Sequence, residues 1–127
     1  MKKDYAIYKK FLIEGLKELS DHDFQRRIWT NQDNPKGLVC SFTEADIRVF
    51  DDAVVGHALR DGSIIYDKQV THALQELHDA TAIVDDDRTA VEIINDPLME
   101  VVRQKAAKVL DLITASDGSE STVEIVE

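Results

Sequence analysis

The sequence predicts an all-α protein, a compact bundle of about five or six helices within a single helical domain over residues 1–115, followed by a flexible tail over 116–127. Three observations carry this. Apolar residues recur at three- and four-residue intervals over most of the chain. Helix-start signatures precede those runs at five places. Two-residue alternation is confined to the closing TVEIVE, with SIIY at 63–66 the one other stretch that could extend briefly.

Tyr5, Tyr8, Leu12, Leu16 and Leu19 fall on one face of a helix over 4–19, with Lys9, Lys10, Lys17 and Glu18 between them. Ser20 followed by Asp23 starts a short second helix through DHDFQRRIW, in which Phe24, Ile28 and Trp29 point inward. TNQDNPKG is a loop, since Asn, Asp, Pro and Gly each favour turns. Ser41 with Glu44 forms a capping box that opens a third helix carrying Ile47, Phe50, Val54 and Ala58 inward. Gly56 marks close packing or a bend in it, and Asp61-Gly62 ends it.

Asp67 caps the next helix, whose inward positions are Val70, Leu74, Leu77 and Thr81. Thr89 with Glu92 is a second capping box before a short turn. Asp96-Pro97 opens the last helix with a capping acid and a proline at its first position. Leu98, Val101, Val102, Val109, Leu112 and Ile113 form its apolar stripe, Arg103, Lys105 and Lys108 lie outside, and it ends near Ala115. The alternating TVEIVE is able to add as a strand, although a frayed terminus is commoner.

The net charge of −10 is unevenly placed. Residues 1–42 hold eight Lys/Arg against six Asp/Glu, while residues 43–127 hold seven against nineteen. A field of that sign repels nucleic acid and anionic membranes and speeds encounter with a basic protein. No apolar run is long enough to span a bilayer, and the opening MKKDYAIYKKFLIEGLKELS carries charge where a signal peptide is apolar, which points to a cytoplasmic protein. Cys40 is the one cysteine, which excludes an intramolecular disulfide and a multi-cysteine zinc site.

Few residues point to chemistry. The doublet Asp51-Asp52 and the triplet Asp85-Asp86-Asp87 lack the spacing of a calcium loop, and adjacent helical carboxylates diverge by about 100°. Among His22, His57, His72 and His78 no pair stands four apart; His57, near Asp51 and Asp52, is the most suggestive. Cys40 stands at a helix start, where a thiol can be activated, yet LVCSF reads as apolar packing around an inert thiol. Arg26, Arg27 and Trp29 make either a small binding patch or a core tryptophan rimmed by arginines. No phosphate loop, nucleophile elbow or metalloprotease motif occurs, and no cofactor is implied.

The leading expectation is a noncatalytic protein-binding module, with Asp46, Asp51, Asp52, Asp85, Asp86 and Asp87 as contacts to a basic partner. Between Glu44 and Glu100 there are fourteen acids and four Lys/Arg. In size, acidity and lack of catalytic motifs the chain resembles bacterial immunity proteins, a resemblance of type that implies a toxin domain as partner. The alternatives are a helical metal-dependent hydrolase with Glu44, Asp51 and His57 as ligands, or a structural or adaptor subunit, since a stripe facing a partner reads like one facing a core.

Overall fold

The computed structural model describes residues 6–32, 41–53, 55–116 and 124–126. They form an all-α bundle of seven helices with one short ladder, β1 (Ala6–Tyr8) paired in parallel with β2 (Glu124–Val126). The helices are α1 (Lys9–Ser20), α2 (His22–Phe24), α3 (Phe42–Ile47), α4 (Val55–Arg60), α5 (Lys68–Ala82), α6 (Ala90–Ile94) and α7 (Pro97–Ser116). Wider, π-type turns prolong α2 over Gln25–Trp29 and α3 over Arg48–Asp52.

α1 and α5 both pack against α7, and α3 with its wide turns lies across α1. The core is continuous: Leu12, Leu16 and Leu19 of α1, Leu74 and Leu77 of α5, and Met99, Val102 and Val109 of α7 belong to one buried cluster. Its formation removes the stripes of all three long helices from water, the largest favourable contribution to folding.

Four expected starts coincide with observed caps. The side chains of Ser41, Asp67 and Thr89 accept from the amides of Glu44 (3.1 Å), Val70 (2.8 Å) and Glu92 (3.2 Å). Asp96 Oδ1 accepts from Leu98 N at 2.9 Å. Glu92 completes the reciprocal box at Thr89, and the bonds its carboxylate accepts from the Thr89 amide first and the Thr89 hydroxyl second hold its carboxyl below the usual range. α2 is capped by Asp21, not by Ser20 or Asp23: Asp21 Oδ1 accepts from Phe24 N at 3.0 Å.

Several expectations are corrected. The first helix begins at Lys9, because AIY pairs with EIV from the far end of the chain, register Ala6↔Glu124, and non-local pairing overrides a weak local helical preference. The helix opened by Ser41 does not run unbroken to Arg60; it turns at Ala53 and resumes as α4. Gly56 stands just past that bend, where a Cβ would lie 3.0 Å from the Phe50 carbonyl oxygen. α7 buries a different stripe from the expected one: Met99 and Ala106 join Val102, Val109 and Ile113, Arg103 is buried, and Leu98 and Val101 are exposed.

Ile47, expected inward, is likewise exposed. Residues 63–66 form no strand; Ser63, Ile65 and Tyr66 are buried in an irregular link. Thr71 fastens that link, its Oγ1 accepting from Ile65 N at 2.7 Å and donating to Asp67 O at 2.8 Å. Residues 33–37 of the expected loop, Cys40, Val54 and residues 117–123 of the expected tail lie outside the described residues, as does Tyr5.

Candidate functional site

The acidic residues expected to contact a partner sit on two elements. α3 and its wide turns carry Asp46 and Asp51; the link from α5 to α6 carries Asp85, Asp86 and Asp87. Local chemistry shapes the link: Asp85 Oδ1 accepts from Asp87 N at 3.1 Å, and Arg88 Nε donates to Asp85 O at 2.8 Å. Arg88 Nη2 then reaches Asp96 Oδ2 at 2.8 Å, tying the link to the start of α7. The carboxyl of Asp96 is held low by the Leu98 amide first and by Arg88 second.

The two elements meet. Thr43 Oγ1 donates to Asp86 Oδ2 at 3.4 Å, a long bond between residues 43 positions apart. Asp46 lies beside Thr81 and His78 near the end of α5, with Asp51 and Asp86 close enough to act on its charge. Burial raises the Asp46 pKa first, and the like charges of Asp51 and Asp86 add to that; the Thr81 hydroxyl and His78 oppose it. Its Oδ1 is buried without a hydrogen-bond partner. His78 is itself held edge-on against the Phe50 ring, centroids 4.8 Å apart.

Asp51, Asp85, Asp86 and Asp87 are exposed, as is Glu44. Asp46 is half-buried, and the side chain of Asp52 is outside the described residues. Ile83, two residues before the triplet, is 63% exposed, more than any other large apolar side chain in the described core and surface. Sequence reasoning missed Thr43 and Arg88, and read Thr81 only as an inward position of its helix. Only Arg88 left a local signal, an arginine three residues after Asp85.

Other candidates stand apart from this face. His57 is exposed and its Nδ1 accepts from Arg60 Nη2 at 2.8 Å. Among the described residues no group of three or more His, Cys, Asp or Glu side chains is arranged to hold a metal ion, so Glu44, Asp51 and His57 do not form such a group. Trp29 is a core residue, 7% exposed and edge-on to Phe42. Arg26 and Arg27 both bind Asp23, at 2.7 and 2.8 Å, and hold its carboxyl low.

No known protein family, curated protein or solved structure matches this chain. Among the described residues no helix is long and apolar enough to cross a membrane.

Asp46 supplies a stability test of the acidic face. Its folded pKa lies above the ordinary 3.8, so the folded state binds the proton more tightly than the unfolded one. Ionised Asp46 thus weakens the fold above its raised pKa, and the penalty disappears below the ordinary value. Asp46→Asn is expected to raise the thermal midpoint at pH 7, with the gain shrinking as pH falls through the acid range. A lower midpoint at pH 7 would show that the carboxylate stabilises the fold.

Proposed function

We propose that this chain is a noncatalytic protein-binding module that takes up a basic partner on the acidic face of α3 and the α5–α6 link, as an immunity protein of a bacterial cytoplasm covers a toxin domain. The observation that supports it most is the convergence of Asp46, Asp51 and Asp86 from two separated stretches of sequence. Like charges gathered this way destabilise the free protein and become favourable only opposite positive charge. Exposed Ile83 beside the triplet adds the apolar contact that charge alone lacks.

Rim charges act mainly on the association rate and are screened by salt, with a Debye length of about 10 Å at 0.1 M. The test is copurification with, and binding to, a basic protein encoded by an adjacent gene, at low and high salt, with the wild type and an Asp51→Lys/Asp85→Lys/Asp86→Lys variant. Slower association at high salt, and an affinity reduced at least about tenfold (roughly 1.4 kcal/mol) in the variant, is the expected result. Equal affinity in the variant, or no binding to that neighbour, would sink the reading.

A further inference from the structure

Ile83, at the end of α5, and Leu98 and Val101, in the first turns of α7, are large apolar side chains left exposed. The seam between the two helices brings them together. Arg88, just past α5, is bonded to Asp96 at the start of α7, so the end of one helix meets the start of the other and the two run antiparallel. Midway along the seam Glu76 of α5 faces two lysines of α7, Lys105 at 3.7 Å and Lys108 at 3.8 Å.

Seven residues make two helical turns and return to the same face. Counted that way toward the shared end, Glu76 is followed by Ile83, while Lys105 and Lys108 are preceded by Leu98 and Val101. The three exposed apolar residues therefore form one patch over the end of the seam. Lys105, Lys108 and Glu76 border it on one side, and the exposed acids Asp85 and Asp87 border it on the other.

Continuity and charge identify what covers the patch. Protein interfaces set an apolar core inside a polar rim, and a stable one takes about 800 Å² from each partner. The acids of α3 and of the α5–α6 link supply a rim, and Ile83 alone is too small a core. Leu98 and Val101 enlarge that core on the side away from α3. The two borders differ in sign, since two lysines share one carboxylate on one side and Asp85 and Asp87 stand on the other. A segment seated here is favoured when its positive charge lies only over the aspartates.

We propose that the basic partner anchors an apolar segment on Ile83, Leu98 and Val101, flanked by lysine or arginine on the side of Asp85 and Asp87. This rests on the partner-binding reading above and extends its interface from the acidic link onto α7. The acids govern how fast the partner arrives, and the patch governs how long it stays.

Binding kinetics with the basic protein encoded by an adjacent gene separate the two contributions. Leu98→Ser/Val101→Ser, at exposed positions, is expected to speed dissociation about tenfold and to change association less than about twofold. Asp85→Asn/Asp87→Asn is expected to slow association instead. Thermal midpoints of both variants check that they fold. Unchanged dissociation in Leu98→Ser/Val101→Ser, beside slowed association in Asp85→Asn/Asp87→Asn, overturns the anchor and leaves the acidic-face reading standing. No binding by the wild type overturns both. A dimer of the free chain in sedimentation, abolished by Leu98→Ser/Val101→Ser, would seat a second copy on the patch and overturn the anchor as well.

Discussion

Arg103→Ala is expected to lower stability by about 3 kcal/mol, because it strips donors from two acceptors at roughly 1–3 kcal/mol each. Arg103 is 8% exposed on α7, and its Nη1 donates to Gln25 Oε1 at 3.0 Å and to Ile94 O at 3.3 Å. Gln25, fully buried, passes the connection on: its Nε2 donates to Glu18 O at 2.8 Å and Leu19 O at 2.9 Å, at the end of α1. One guanidinium thereby links α7 to α6, to the wide turns after α2, and through Gln25 to the carbonyls that α1 leaves unpaired. Glu18 extends the set by pairing with Arg48 beyond α3.

Magnitudes separate this role from that of an ion pair. Glu100, the carboxylate that Arg103 Nε reaches at 3.1 Å, is 53% exposed, so Glu100→Ala should cost no more than about 1 kcal/mol. Arg103→Met restores bulk without donors and should fall between the two. With a chain of this size losing roughly 4 °C per kcal/mol, Arg103→Ala should lower the thermal midpoint by about 12 °C. Equal, small losses for Arg103→Ala and Glu100→Ala would show that the buried hydrogen bonds add little.

Legibility in the sequence follows the range of the interaction. Ser41, Asp67, Thr89 and Asp96 are readable as caps because a cap joins residues two or three apart. The inward face of α5 is readable because Val70, Leu74, Leu77 and Thr81 leave no competing stripe. α7 does offer a competing stripe, and hydrophobicity alone favours Leu98 and Val101 over Ala106 and Arg103. What reverses that choice is Gln25 and the Ile94 carbonyl, partners that reach Arg103 only once the fold exists.

The candidate site shows the same division. The individual acids are plain in the sequence, and Asp51, Asp85, Asp86 and Asp87 are exposed. That Asp46 is half-buried and shares its surroundings with Asp86 depends on where α3 crosses the end of α5. The patch of Ile83, Leu98 and Val101 is hidden for the same reason, since it forms only where α5 meets α7.

The position of α3 is fixed by a contact that yields the second large effect. In an exposed helix interior, replacing glycine by alanine stabilises by about 1 kcal/mol. At Gly15, in the middle of α1, the added Cβ would meet Val49 Cγ2 at 2.5 Å and the backbone atoms Ala45 O and Val49 N at 3.2 Å. The Val49 side chain can turn aside, but the backbone of α3 yields only if the helices separate, an overpacking that costs about 1–3 kcal/mol or more. Gly15→Ala is therefore expected to destabilise, by about 2 kcal/mol in denaturant unfolding.

A double-mutant cycle assigns the cause. Val49→Ala alone should cost about 2 kcal/mol, since Val49 is fully buried. If the methyl clash dominates, Gly15→Ala/Val49→Ala should be about 1 kcal/mol more stable than the two single losses added together. Strict additivity would place the strain on the Ala45 and Val49 backbone, and a gain in stability from Gly15→Ala alone would show that α1 and α3 have room to spare. In the first case α3 keeps its place and binding through Asp51 and Asp86 should persist. If the backbone carries the strain, α3 shifts against α5, and partner binding should weaken together with stability.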